Sequence, residues 1–524
     1  MRAGTLIELL DRNVKHRPAQ SAATDADGTL DWRSFAARVE GYAGQLTRQG
    51  IGPGDRVALW LPNSVDYLAL IFACARLSAL AVHINTRFRA SEVKDLLTRS
   101  NAALLVTDFD FPPVDFAGIL DSALAQDRFG LRSIVGRKTD ARVIAGVPVV
   151  PLAEEGAAPS LASAESPCLT FTTSGTTSGP KLVLHSQGSI AGHACDVASA
   201  LATAQTGACV LAVVPLCGTF GNALAMAGIA GGAHIVLMDR FDAEQAEALI
   251  RCHRVTHTAG GDDMLARLAL AAAGRPYDSV VFTGYASFSP TAAESIAAAE
   301  RAGLMPRGLY GSSELQALFA IAPDSRRLSD GGVPVSAQAE ISIRHPESGA
   351  PMPPGEAGEM CVKAPSAFLG YLENRQATAR ATTPDGFFRS GDLCRLAAPG
   401  FVYDGRLGDT LRLGGFLVNP EEIEGFLRQQ PGVAGAQVVA VERGGDRVAV
   451  AFVCAEPGRR PDEAAILAAC RTNLAGYKVP ARLITLEAFP TTESPNGIKI
   501  QRAKLREMAE RVLRQPPAHR SAAQ

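Results

Sequence analysis

From the N-terminus to about residue 400, short apolar runs alternate with helical patterns, which restricts the chain to helix-covered, mainly parallel sheets. Arg56–Leu61, Ala103–Val106, Val210–Val214, His234–Met238 and Ser279–Thr283 read as buried strands. Helical stretches such as Val65–Leu80, Ala223–Ala230 and Ala243–His253 lie between them. Beyond Pro334 the texture changes to alternating strands with turn signals, such as Ala339–Arg344 and Glu359–Ala364, and predicts a β-rich subdomain. A final segment, Asp409 to Arg514, has its own strands at Val438–Val441 and Val448–Cys454 and a helix over Asp462–Leu474. At 524 residues the chain is too long for one core.

Several function classes drop out on composition. Lysine plus arginine number 51 against 53 acidic residues, and no basic block or basic–aromatic stripe offers a nucleic-acid surface. The ten cysteines are scattered, with no Cys-x-x-Cys pair and no His/Cys cluster. That pattern points to reduced thiols in a cytoplasmic protein, not to a disulfide frame or a zinc site. Met1–Pro18 is interrupted by Glu8, Asp11 and Arg12 and lacks the apolar centre of a signal peptide. Val197–Met238 carries no Asp, Glu, Lys or Arg and is long enough to span a bilayer. Pro215, Asn222, His234 and several glycines divide it, so it reads as buried strand, loop, packed helix and strand.

Chemistry concentrates in a few short stretches. Leu169–Lys181 sets seven hydroxyl side chains, two glycines and a lysine against an apolar strand-like run within thirteen positions. A packed core has no use for so many hydroxyls. A phosphate does, since glycine-rich turns present successive N–H groups and the hydroxyls and ammonium add donors. A polar surface loop is the alternative. The stretch is not a Walker A motif, because no Ser or Thr follows Lys181. Downstream, Tyr310-Gly311-Ser312-Ser313-Glu314 gathers an aromatic face, two hydroxyls and a carboxylate. It suits stacking, phosphate contact and Mg²⁺ ligation, or merely a turn before a helix. Phe388–Asp392 offers a carboxylate on a turn, and Gly405–Asp409 with Gly414-Gly415 forms a second glycine-rich stretch. Pro420–Glu424 starts a helix, and Gly497–Arg502 contains Lys499.

In their order and spacing these motifs resemble the adenylate-forming superfamily of acyl-CoA synthetases, peptide-synthetase adenylation domains and luciferases. Gly52–Ala58, Leu61–Ser64 and Tyr477–Pro480 extend the resemblance over nearly the whole chain. The resemblance implies a large N-terminal domain of two helix-covered, mainly parallel sheets plus a β-rich subdomain over 1–407. It also implies a small mobile α+β C-terminal domain over 408–514 and a disordered tail over 515–524. By the same analogy Thr173, Ser174, Gly175, Thr176, Thr177 and Lys181 hold the β- and γ-phosphates of ATP. Tyr310 stacks on adenine, with Gly284-Tyr285-Ala286 on its other face. Ser313 contacts the α-phosphate, Glu314 holds Mg²⁺, and Asp392 and Arg406 bind the ribose. Lys499 bridges the substrate carboxylate and the α-phosphate, and Gly414-Gly415 serves the coenzyme A step after the domain rotates about Gly408.

The implied reaction activates a small carboxylic acid to an acyl-adenylate and transfers it to coenzyme A. A stand-alone enzyme loading a carrier protein is the alternative, and a catalytically degraded nucleotide binder is a third reading. The chain departs from the family pattern at Ser313, where Thr is usual, and at Gly408, where Asp or Lys is common. Lys499 lies about three residues further from Pro490 than usual, and Gly218 stands where a histidine or aromatic often sits. Small residues over Cys217–Ala227 suggest space for a medium-chain, cyclic or aromatic acid, and Asp262-Asp263 read as caps for a helix beginning near Met264. Among assemblies, a homodimer is compatible with the sequence.

Overall fold

Arg56–Trp60 runs through the middle of a nine-stranded sheet, and its last four residues are buried because both sheet faces are covered. The computed structural model describes the chain apart from residues 1–2, 140–141, 174–180, 287–291, 324–329, 408–410, 414–415, 419, 444–445, 475, 495–496 and 515–524. It gives the backbone alone at 142, 330, 412, 416–417, 422, 446, 493–494, 497–499 and 514. The expected disordered tail therefore lies outside the described residues. The chain divides into two compact units. The first comprises Met1–Ile341, Cys361–Ser390 and Ala398–Phe401, and the second Ser342–Met360, Gly391–Ala397 and Val402–Gln524.

In the first unit, Leu80–His83 and Leu104–Asp108 flank the central strand in parallel register, with Ser133–Arg137, Val147–Pro151 and Pro167–Thr172 continuing the sheet. Leu182–Ser186 and then Gly370–Tyr371 add antiparallel strands at one edge. A second parallel array runs Pro306–Ser312, Phe282–Ala286, His257–Gly261, Cys209–Ala212, His234–Leu237, Ser21–Asp25. Strands of both sheets share one core with the helices Val65–Arg76, Gln187–Leu201 and Thr219–Gly231, so these helices fill the layer between them. The alternation of the sequence is thus realised as a mixed α/β unit with two helix-covered sheets.

Some boundaries differ from the sequence reading. The apolar stretch Val65–Leu80 is a helix only to Arg76; Ser78 turns left-handed at φ 51°, and Leu80–His83 is a strand. The strand expected over Ser279–Thr283 occupies Phe282–Ala286, because Gly284 and Tyr285 continue the parallel ladder to His257–Gly261. The helix placed near Met264 begins at Asp262, with Gly261 at its N-cap. Asp262 and Asp263 therefore stand in the first turn, favoured by the positive helix end, instead of capping it.

The small residues around Cys217–Ala227 do not leave space; close packing uses them. A Cβ on Gly221 would sit 2.3 Å from the Val214 carbonyl oxygen, and one on Gly228 would sit 2.5 Å from Ile235 Cδ1. Between Val213, Val214, Phe220, Gly221, Leu224 and Ala259 there is no room even for a water-sized group.

The second unit pairs Val433–Arg443 with Asp446–Ala455 and adds Arg482–Leu486 in parallel. Ile423, Leu427, Ile466 and Cys470 pack one face of this sheet, and Leu505 and Ala509 the other. The ten cysteines are free. Among the described residues no helix is long and apolar enough to cross a membrane.

Gly221→Ala is expected to lower stability by about 2 kcal/mol, since its methyl would have to displace backbone. Gly52→Ala, with nothing within 4 Å of the added carbon, is the control. Equal urea midpoints for the two variants would contradict this packing account.

Candidate active site

The strands on either side of the hydroxyl-rich stretch pair antiparallel. Pro167–Thr172 returns as Leu182–Ser186 with Leu182 opposite Thr172. At its base the Thr173 N–H donates to the Lys181 carbonyl at 3.0 Å, and the Lys181 N–H donates to Thr173 Oγ1 at 3.1 Å. Ser174, Gly175, Thr176 and Thr177 lie outside the described residues. The loop is nonetheless closed at both ends, which fixes where it begins and returns.

Lys181 meets a residue that sequence reasoning missed. Gly370–Tyr371 pairs with Val183–Leu184, and this brings the buried Tyr371 ring beneath the ammonium, with Nζ 4.5 Å from the ring centroid. Gly370 has φ 143°, and an added Cβ would press on Thr378, so only glycine fits this bend. The Tyr371 hydroxyl donates to Glu314 Oε1 at 2.7 Å. A cation and a carboxylate are therefore held on either side of one phenol.

The Ser313–Glu314 turn is fixed from several directions. The Phe368 N–H donates to the Glu314 carbonyl at 2.8 Å, and Gln316 Nε2 donates to the carbonyls of Ser189 and Ser366. His185 is fully buried, and its Nε2–H donates to the Ser313 carbonyl at 2.8 Å. Burial pushes its pKa down to about 4, against the opposing pull of that carbonyl. The ring is neutral at pH 7, and the bond assigns its proton to Nε2. His185 is the second residue missed. Its only sequence signal was a histidine in an apolar strand four positions after Lys181.

Tyr310 lies in the strand Pro306–Ser312, beside the strand carrying Gly284 and parallel to it. Ligands of such sheets bind beyond the carboxyl ends of the strands, where both residues lie near the terminus. Tyr310 stands edge-on to Phe401 at 5.0 Å and to Phe319 at 6.4 Å. A Cβ on Gly284 would meet Leu309 Cδ1 at 2.6 Å, so that glycine makes room for a leucine. Tyr285 is buried in the helix-side core, which leaves backbone, not its ring, to face a base.

In the second unit Arg406 Nε lies 3.1 Å from Asp392 Oδ1 in an ion pair; the carboxylate is buried and the guanidinium half-exposed. Gly391, at φ 70°, accepts the Leu407 N–H at 2.8 Å and holds the two residues together. Lys499 is on the hairpin strand Gly497–Ile500, opposite Thr492. Gly414 and Gly415 lie outside the described residues, between the paired strands Leu411–Leu413 and Phe416–Val418. Gly408 is outside them too. Each unit thus brings together its own share of the expected groups.

A polyphosphate with its cation suits an ammonium and a carboxylate that flank one phenol, which puts the chain among nucleotide-using α/β enzymes. Mg²⁺ commonly takes one or two carboxylates together with phosphate oxygens, so Glu314 is a fitting donor for it. Comparisons with known proteins are more specific. Residues 10–372 match the family model for AMP-binding enzyme, and 422–495 that for AMP-binding enzyme C-terminal domain. The chain is 30% identical over 478 residues to 2-succinylbenzoate–CoA ligase of Geobacillus kaustophilus (strain HTA426), covering 90% of this chain and 92% of that one. It is 29% identical over 505 residues to indoleacetate–CoA ligase of Aromatoleum aromaticum, covering 93% and 95%. Its fold matches ATP-bound MatB from Rhodopseudomonas palustris with a TM-score of 0.81 at 23% identity, over 98% and 100% of the two chains.

The chain belongs to the AMP-binding enzyme family, in the CoA-ligase branch of the adenylate-forming enzymes. It is an AMP-forming acid–thiol ligase that uses ATP to form an acyl-adenylate and passes the acyl group to coenzyme A. The carrier-protein alternative is not favoured.

Two measurements check the site. Tyr371→Phe keeps the ring under Lys181 and removes only the donor to Glu314. Loss of a hydrogen bond to a charged group, about 1.5 kcal/mol, is expected to slow adenylation about tenfold while the protein stays folded at the assay temperature. Unchanged adenylation would remove Tyr371 from the site.

The second concerns pH. An unfolded histidine binds a proton below about 6.5, whereas His185 resists one until about 4. The unfolded state therefore binds more protons in that window, and stability falls as pH drops through it. Between pH 7 and 5 the loss from His185 is about 2 kcal/mol. His185→Gln should flatten that dependence in urea titrations, and an equally steep dependence would contradict the neutral ring.

Proposed function

We propose that this ligase activates aromatic carboxylic acids, with the residues named above in the roles their family resemblance implies. The observation that carries the site assignment is the Lys181–Tyr371–Glu314 arrangement, which readies a cation and a carboxylate for the phosphate end of ATP. The substrate class is supported by the two CoA ligases described above, whose named acids, 2-succinylbenzoate and indoleacetate, both contain an aromatic ring.

A carboxylate approaching the α-phosphorus of ATP brings anion against anion, so the barrier is electrostatic and positional. Lys181 and the loop Thr173–Thr177 hold the β- and γ-phosphates, which depart as pyrophosphate when the α–β bond breaks. Ser313 donates to the α-phosphate. When bound at Glu314, Mg²⁺ offsets phosphate charge. Tyr310 and the Gly284 backbone take adenine, while Asp392 and Arg406 take the ribose hydroxyls. The ammonium of Lys499 bridges the substrate carboxylate and the α-phosphate. In the second step the coenzyme A thiolate attacks the acyl carbon, AMP leaves, and the Gly414-Gly415 hairpin takes the place of Lys499. The pivot is Gly408, between domains 1–407 and 408–514, where a residue without a Cβ absorbs the dihedral change at little cost. The free, scattered cysteines support a cytoplasmic setting.

The test incubates the protein with ATP and Mg²⁺ and one of indole-3-acetate, phenylacetate, benzoate, hexanoate, octanoate or acetate, with and without coenzyme A. Products are read by mass. We expect acyl-AMP without coenzyme A and acyl-CoA with it, and kcat/KM for the best aromatic acid at least about 100-fold above acetate, as hydrophobic pocket contacts allow. Octanoate as the best substrate would overturn the aromatic assignment, and adenylate with no thioester would favour a carrier-protein acceptor. Lys499→Ala is expected to abolish adenylation yet leave thioester formation from supplied acyl-AMP largely intact. Equal loss of both would mean the lysine is misassigned.

A further inference from the structure

The two hairpins assigned to the half-reactions are rooted differently in the second unit. Either side of Gly414–Gly415, the strands bury Leu411, Leu413 and Val418 in the core. The hairpin of Lys499 contributes only the half-buried Ile500 among the described side chains. Its root is polar instead. The Gln501 N–H donates to the Pro490 carbonyl at 2.8 Å, and Gln501 Nε2 to the Thr491 carbonyl at 3.1 Å. Next comes Arg502, whose Nη2 lies 3.0 and 3.2 Å from the two carboxylate oxygens of Glu424.

Glu424 is 1% exposed, on the helix Pro420–Arg428. Its Oε1 accepts the Val438 N–H at 2.9 Å and its Oε2 the Gln437 amide at 3.3 Å. Arg502 Nε in turn donates to Gln437 Oε1 at 3.2 Å, which closes a triangle of side chains. Burial raises the Glu424 carboxyl to about 7 while Arg502 pulls it down, so this carboxylate is kept at a cost. The helix Arg502–Arg514 does not need the pair to dock, because Leu505 and Ala509 already bury fully against Val439, Val441, Val450 and Phe452. An apolar side chain at position 424 would serve stability as well. What the triangle adds is direction: it fixes the chain three residues after Lys499, at most about 10 Å along the backbone.

We propose that Glu424, Arg502 and Gln437 form a clamp that positions Lys499 for the adenylation step and has no part in thioester formation. This rests on the reading of Lys499 as the adenylating lysine. The three are positioning residues and do not themselves touch substrate.

The full-length protein is tested as Glu424→Gln, Arg502→Met, Arg502→Lys, Lys499→Ala and the double variant Glu424→Gln/Lys499→Ala. Adenylation is followed as pyrophosphate release with the fastest of the six acids above, and thioester formation as a single turnover from the synthetic acyl-adenylate and coenzyme A. Misplacement of a reacting group by about 1 Å costs up to about 100-fold. Adenylation is therefore expected to fall about 30-fold in Glu424→Gln and Arg502→Met and by less in Arg502→Lys, with thioester formation within about twofold of the parent. On the Lys499→Ala background, Glu424→Gln should leave thioester formation from supplied acyl-adenylate unchanged, because the clamp acts only through the lysine. Independently of substrate, amide exchange over 491–501 should speed up at least about tenfold in Glu424→Gln, while 439–441 and 450–452 stay protected. Parallel loss of both half-reactions, retained adenylation in Glu424→Gln and Arg502→Met, slower thioester formation in the double variant than in Lys499→Ala, or unchanged exchange would each overturn the clamp. Adenylation that survives Lys499→Ala would overturn the reading of the lysine, and the clamp with it.

Discussion

The antiparallel pairing of Leu182–Ser186 with Pro167–Thr172 on one side and Gly370–Tyr371 on the other governs the Lys181–Glu314 end of the candidate site. The first pairing closes the hydroxyl-rich loop through Thr173 and Lys181. The second carries Tyr371 under the Lys181 ammonium and within reach of Glu314. The same central strand supplies His185, which holds the carbonyl of the residue before Glu314. One strand of five residues thus sets the loop, the cation and the carboxylate. A slip of one residue would turn Lys181's successors to the opposite face and undo all three at once.

Much of this was legible in sequence, and the parts that were not share a physical cause. Glycine-rich and charged motifs carry local signals, so the loop, the Tyr310–Glu314 cluster and the stretches holding Asp392 and Arg406 stand out from their residues, while their roles follow from the family resemblance. Alternating apolar runs gave the parallel sheets. Tyr371 and His185 act through partners 57 and 128 residues away, and nothing in their own neighbourhood marks the contact. Gly221 shows the reverse error. Small side chains over Cys217–Ala227 suggest space, but a helix pressed onto a sheet requires the same residues to abolish it.

Buried polar groups recur wherever the structure must aim a functional residue. His185 is held neutral in an apolar wall so that a single N–H can fix the Ser313 carbonyl. Glu424 keeps its carboxylate in the core of the second unit, where a hydrophobic residue would cost less. Such groups are poor contributors to stability, but each has only one arrangement that satisfies its donors and acceptors. Apolar packing tolerates small slides, and hydrogen bonds of about 3 Å do not.

That difference bears on how a reaction between two anions can be catalysed. In the proposed mechanism, groups that only bind ATP can sit on rigid sheet strands and turns, as Lys181 and Glu314 do, because their target stays the same through adenylation. The ammonium proposed to bridge two substrates has to be absent for the second step and well aimed for the first. A lysine on a hairpin supports the first requirement, since among the described side chains of that hairpin Thr491 and Thr492 are exposed and Ile500 is half-buried. The Arg502–Glu424 pair supports the second by fixing the hairpin's root. Exposed threonines and a tight polar root are therefore complementary features of one element, each answering a different half of the same chemistry.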